Sequence, residues 1–229
     1  MWLAPIGVGA ALCGIIAMRG LGILVSYGKL IAGFYAALAL LVALIVCAGR
    51  WVLGKDIYRL LALMKSPFLI GFATASSEAA FPLTIEQLER FGVSRRIAGF
   101  VLPLGYSFNL DGSMVYQAFA VIFIAQAFHV DMSFMQQLGV LLVMLITSKG
   151  MAGVPRASLV VVAASLPAFG LPAAGLMLIL GIDPFFDMGR TAVSVLGNSV
   201  AAAAIAKWEG SADALNAKTA AETTIEASR

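Results

Sequence analysis

The chain has 229 residues, of which 61% are hydrophobic and only 12% charged, with a net charge of +3 and a mean hydropathy of +0.97. A soluble domain carries about 25% charged residues, so this composition excludes a water-soluble globule and points to lipid as the main solvent. The small positive charge gives no reason to expect a nucleic-acid partner, and Cys13 and Cys47 sit in apolar runs as small hydrophobes, not as a disulfide or a metal pair.

In chain order, residues 2–18 form a short first candidate span. No basic stretch precedes it, so it reads as a span and not as a cleavable signal. Residues 30–53 form a second, long span. The chain is mixed between Lys55 and Lys65, then apolar over 67–82 apart from Thr74, Ser76, Ser77 and Glu78. An amphipathic piece over 85–91 leads to Arg95 and Arg96. Residues 97–128 are apolar but broken over 105–113. Residues 138–146 are apolar, 147–155 polar and glycine-rich, and 157–166 apolar again. Residues 171–207 have a helical pattern and carry Asp183, Asp187 and Arg190; a polar tail follows. The expected organisation is two transmembrane helices over 1–53, a core over 54–207 and a cytoplasmic tail over 208–229.

Three apolar segments are thus interrupted at membrane depth. Irregular backbone there is tolerated only against protein or a wet cavity, and repeated interruptions mark transporter binding sites. Kinks or short loops between ordinary spans are the plainer alternative. Arg50, Lys55, Arg59 and Lys65 precede the 67–82 run, and Arg90, Arg95 and Arg96 follow it. If both clusters are cytoplasmic, that run enters and leaves on one side as a hairpin. One crossing then puts His129 and Asp131 outside, and a second hairpin around 147–155 stays outside. The last helix returns Lys207 to the cytoplasm, while Arg19 and Lys29 count mildly against the layout. The expected fold is an all-α membrane protein with two re-entrant helical hairpins and a broken transmembrane helix.

Asp183, Asp187, Arg190, Thr191, Ser194 and Asn198 fall at offsets 0, 4, 7, 8, 11 and 15. At about 100° per residue these form one polar stripe. Such a stripe must face protein or water, because a charge at the bilayer centre costs at least about 2.5 kcal/mol. Asp187 and Arg190 could be a neutralising pair that only fixes packing. Alternatively, the arginine presents a fork for a substrate carboxylate and the aspartate holds an ammonium group. The break at Asn109, Asp111 and Gly112 offers hard oxygen ligands suited to Na⁺ or a proton relay, though Asp-Gly alone is also a turn signal. The stretches 74–78 and 148–155 read as two tips whose small residues and exposed amides suit an anion.

These residues carry a family signature. The serine-rich first tip with Ser76, Ser77, Glu78 and Pro82, the break over 109–113, the second tip over 150–155 and the 187–191 segment resemble the dicarboxylate/amino acid:cation symporter family. The ending over 197–210 resembles its bacterial glutamate branch. The resemblance implies an elevator-type carrier, trimeric when full length, in the cell inner membrane with multiple spans. It needs no cofactor beyond the coupling ion, Na⁺ and/or H⁺, and its partners are a small anionic substrate and lipid. It also implies that Asp187 holds the substrate amino group and Arg190 the side-chain carboxylate, with Thr191 and Ser194 lining the pocket. Ser76, Ser77 and the Gly150 and Gly153 backbone would enclose the α-carboxylate. Gly105, Asn109, Asp111, Ser148 and Asn198 match cation-site positions, with Na⁺ at Asn109 and Asp111.

Two positions depart from the pattern: Asn198 stands where a sodium-ligating aspartate occurs in archaeal homologues, and Leu110 replaces a methionine. Both give weight to proton coupling. The family runs to about twice this length, so the chain is expected to be a fragment. A C4-dicarboxylate symporter is the alternative substrate class; that branch typically lacks an acid at Asp187. A non-transporting remnant is another alternative. An intramembrane hydrolase would need a serine beside a base, and His129, the sole histidine, lies at the end of a span.

Overall fold

A backbone surrounded by hydrocarbon has to satisfy its polar groups internally, and a helix does so within one segment. The computed structural model describes residues 9–10, 13–14, 16–17, 20–108, 111–149 and 156–210, and among the described residues every regular element is helical. Most of the first candidate span lies outside the described residues.

Helix α1 (Gly22–Leu53) has 32 residues and a mean hydropathy of 2.7. At about 1.5 Å per residue it exceeds the roughly 30 Å hydrocarbon core. It begins well before the apolar run starting at residue 30, because Ser26 and Lys29 lower hydropathy without breaking a helix. Tyr27, Phe34, Leu38, Gly49 and Leu53 form its buried stripe, while Leu24, Leu40, Leu44 and Trp51 face outward.

Helices α2 (Asp56–Leu63) and α3 (Lys65–Thr74) meet at a 44° bend. Helix α3 stops at Ala75, whose left-handed φ of 50° turns the chain. Ser76 then caps α4 (Ser77–Phe91), accepting from the Ala79 N–H at 3.3 Å. Helix α4 packs back against α3 and α2 and ends at Gly92, where a φ of 107° lets Val93 N–H reach the Leu88 carbonyl. Helices α3 and α4 thus form a helical hairpin with Ala75 and Ser76 at its tip.

Helices α5 (Arg95–Phe108) and α6 (Asp111–Ala127) flank the expected break, whose Asn109 and Leu110 lie outside the described residues. Helix α7 (Phe134–Thr147) opens with a reciprocal cap between Ser133 and Gln136, and both it and α8 (Ala157–Ser165) pack on α6. Gly150 to Pro155, the expected second tip, lie outside the described residues.

The continuous helix expected over 171–207 is not formed. Two 3₁₀ turns, Leu166–Phe169 and Ala173–Gly175, and a short α9 (Leu176–Leu180) precede α10 (Asp183–Trp208). Pro172 lacks a backbone donor and Gly170 adopts a φ of 66°, so the chain turns before the helix starts. Pro184 sits in the first turn of α10, where its missing N–H removes no helical bond.

Helix α10 is the centre of the fold. It packs against α1, α3, α4, α5 and α6, and glycines let those backbones approach closely. Gly49 of α1 abuts Val200, and Leu38 and Tyr35 abut Gly189, so α1 and α10 run parallel. Gly105 of α5 lies against Asn198 and Gly112 of α6 against the Arg190 backbone, so α5 and α6 run antiparallel to α10. The apolar core divides along α10 into one cluster around Phe34, Tyr116 and Phe186 and another around Leu60, Leu102 and Ala202.

A β-carbon on Gly112 would collide with the Arg190 main chain, whereas one on Gly139 meets nothing within 4 Å. Gly112→Ala should therefore cost about 1–3 kcal/mol by forcing α6 away from α10. Gly139→Ala should be neutral or slightly stabilising. Thermal unfolding of both variants in one detergent checks this; equal midpoints would remove the close approach as a constraint.

Candidate functional site

All six residues of the expected stripe are buried: Asp183, Asp187, Arg190, Thr191, Ser194 and Asn198. One turn of α10 brings a carboxylate and a guanidinium together. Arg190 donates from Nε and Nη2 to the same Asp187 oxygen, Oδ1, at 2.8 and 2.6 Å. The other oxygen, Oδ2, accepts the Arg156 backbone N–H at 2.7 Å. Arg190 Nη1 is buried and has no hydrogen-bond partner among the described residues. In a dry interior that unsatisfied edge is costly, and an incoming carboxylate would satisfy it.

Tyr116 of α6 fixes this group from the opposite side. Its ring lies 4.7 Å below the Arg190 guanidinium, and its hydroxyl donates to Asp183 Oδ1 at 2.6 Å. Phe34 and Phe186 pack against that ring. Asp183 is fully buried; its Oδ2 has no hydrogen-bond partner among the described residues and lies 4.0 Å from Arg156 Nε. The buried centre thus holds two carboxylates and one guanidinium, with the half-exposed Arg156 at its rim. Ser194 turns its hydroxyl to the Arg190 carbonyl at 2.9 Å.

Three of the residues expected at the cation site, Gly105, Asp111 and Asn198, meet farther along α10. Asn198 packs on Gly105, and a β-carbon on Gly197 would lie 3.0 Å from Asp111 Oδ2. The Asp111 carboxylate of α6 therefore reaches α10 at Gly197, and the next residue of α10, Asn198, turns its side-chain oxygen to Gly105 of α5. Oxygen donors of this kind suit a hard monovalent cation. No cluster of three or more His, Cys, Asp or Glu residues exists among the described residues. Ser148 is buried with its hydroxyl on the Leu145 carbonyl, and Lys149 donates to the Phe108 carbonyl at 2.7 Å, at the end of α5. Ser76 and buried Ser77 lie at the first tip, between two helices that both pack on α10. Asn109, Gly150 and Gly153 lie outside the described residues.

Tyr116 and Arg156 are the two residues that sequence reasoning missed. Tyr116 lies one turn beyond the break on an apolar half-helix, and an aromatic there reads as core. Arg156 directly follows Pro155 at the end of the second tip, and a charge at that depth was the available signal.

Apolar helices around a buried, charged helix fit a membrane protein with a polar interior site. The chain belongs to the sodium:dicarboxylate symporter family, whose pattern matches residues 1–208. It is 42% identical, over 96% of its own length and 51% of the relative's, to the "Proton/sodium-glutamate symport protein" of Bacillus subtilis (strain 168). It is 41% identical to the "C4-dicarboxylate transport protein" of Anaeromyxobacter sp. (strain K), over 95% of this chain and 50% of that one. It is 40% identical to the "Proton/glutamate-aspartate symporter" of Escherichia coli (strain K12), over 91% and 48% respectively. The chain spans about half the length of the curated relatives it matches.

Tyr116→Phe tests the buried network. It deletes the donor to Asp183 but keeps the ring under Arg190, so stability should fall by about 1–3 kcal/mol through the stranded carboxylate oxygen. A chemical-denaturation midpoint in detergent equal to that of the unmodified protein would show that the hydroxyl does not support Asp183.

Proposed function

We propose that this chain is the substrate- and ion-carrying part of a secondary active symporter that moves glutamate or aspartate with Na⁺ and/or H⁺ across the cell inner membrane. The observation that carries this reading is the buried Asp187–Arg190 pair, whose guanidinium edge at Nη1 has no hydrogen-bond partner among the described residues. A pair needed only for packing would use all its donors. Asp187, Arg190, Thr191 and Ser194 are the proposed substrate residues on α10, with Ser76, Ser77, Gly150 and Gly153 enclosing the ligand from the two tips. Gly105, Asn109, Asp111, Ser148 and Asn198 are the proposed cation residues. The gathering of Asp111, Asn198 and Gly105 on one stretch of α10 supports that grouping.

The α3–α4 hairpin is proposed to be re-entrant, the segment around residues 147–155 to form a second re-entrant hairpin, and the whole to move as an elevator within a homotrimer of full-length chains. The parallel course of α1 and α10 supports this layout, because both then end at the face that carries Arg50, Lys55, Arg95, Arg96 and Lys207. Cysteines at Lys55, Ser94 and Asp131, introduced after replacing Cys13 and Cys47, test it. Impermeant reagents should label the first two from one side and the third from the other. Labelling of Lys55→Cys and Ser94→Cys from opposite sides overturns the hairpin scheme.

A C4-dicarboxylate is the second reading, favoured by the relative of that description. Asp187 decides between them, because a dicarboxylate offers no ammonium group and would be repelled by an ionised Asp187. Counterflow of labelled glutamate, aspartate and succinate measures the preference. Asp187→Ser should weaken glutamate binding at least about tenfold and leave succinate no weaker. A preference for succinate in the unmodified protein, or glutamate binding unaffected by the substitution, transfers the assignment to dicarboxylates.

A further inference from the structure

Arg156 has two unusual attributes for a residue at the edge of a helix. It is one of three non-glycine residues with positive φ among those described, at 64°, and that conformation is held by its N–H bond to Asp187. A left-handed backbone is costly for an arginine and persists only where its surroundings hold it. Here the anchor is the same carboxylate that Arg190 grips through its other oxygen. The Arg156 main chain is thereby fixed relative to the buried pair, while its side chain stays 45% exposed.

The guanidinium has a loose partner among the described residues. Its Nε stands 4.0 Å from Asp183 Oδ2, too far for a hydrogen bond, and that oxygen has no hydrogen-bond partner among the described residues. An ion pair at this separation yields readily to a ligand that offers a closer carboxylate. Arg190 Nη1 also lacks an acceptor among the described residues. Two guanidiniums, one buried and one at the rim, are thus tied to the same two-turn stretch of α10.

We propose that Arg156 is a specificity-determining residue of this site: it meets one carboxylate of a two-carboxylate substrate while Arg190 meets the other, and Asp183 is its partner between turnovers. The inference rests on the symporter reading and deepens it. It assigns charge selection to a residue outside α10, so a change at Arg156 alone shifts the preference between acidic and neutral substrates. With Arg156 gone, Asp183 and Asp187 outnumber the remaining guanidinium, and a second carboxylate meets uncompensated negative charge.

The test is ligand binding to the whole 229-residue chain in lipid nanodiscs, measured calorimetrically with glutamate, succinate and serine. Arg156→Gln should weaken glutamate and succinate at least about tenfold, the loss of one charge-assisted contact, and leave serine no weaker. Arg156→Lys should recover part of the loss. The double variant Arg156→Gln/Asp183→Asn separates contact from charge balance. It removes both members of the pair and should stay weak for glutamate if Arg156 touches the substrate. Recovery of glutamate affinity in the double variant, or unchanged affinity in Arg156→Gln, overturns the proposal and leaves the symporter reading standing. An unmodified chain that binds none of the three ligands overturns both.

Discussion

Charges on α10 that hydrocarbon cannot solvate set the terms for the rest of the structure. Asp183, Asp187 and Arg190 have almost no exposure, so the chain must supply every partner that water would otherwise provide. Arg190 and Asp187 satisfy one another in part, Tyr116 covers the guanidinium face and reaches Asp183, and Arg156 reaches in from the start of α8. The Tyr116 contacts fix α6 and the Arg156 contact fixes the start of α8 against α10. Helices α1, α3, α4, α5 and α6 are arranged as a sleeve around one charged rod.

The sleeve is tight because glycine lines its inner surface. Gly105 and Gly112 come from two helices and touch α10 where a β-carbon would overlap it, and Gly71 of α3 leaves 3.2 Å between such a carbon and Val195. Helix association in lipid gains little from burying apolar surface, since the tails are equally apolar, and depends on close packing and polar contacts. The outward faces show the complementary pattern. Leu40 and Leu44 on α1, and Leu138, Leu142 and Ile146 on α7, are exposed without a polar neighbour in the stripe.

Much of this was legible in the sequence because it is local. The stripe on α10 follows from helical periodicity, and the two-residue tip at Ala75 and Ser76 follows from small polar residues inside an apolar run. The composition of residues 171–182 concealed the 3₁₀ turns, because an apolar average does not report where Pro172 and Gly170 turn the backbone. Tyr116 and Arg156 escaped for a different reason. Their partners are 67 and 31 residues away in the chain, and only the antiparallel course of α6 and the return of α8 bring them together. Periodicity describes one helix at a time and carries no information about which faces meet.

The parallel course of α1 and α10 has a spectroscopic consequence. Of the three tryptophans, Trp2 lies outside the described residues, while Trp51 and Trp208 end α1 and α10 at the same face, 91% and 75% exposed. Indole rings favour the headgroup layer, so these two mark the depth of that face in the bilayer. The charged centre, by contrast, is surrounded by tyrosine and phenylalanine. Emission excited through indole therefore reports how this face sits against lipid and is blind to the packing of the core, which near-ultraviolet dichroism of the Tyr116 cluster would follow. Quenching by brominated acyl chains and the dichroic signal become independent coordinates, one for immersion and one for tertiary order.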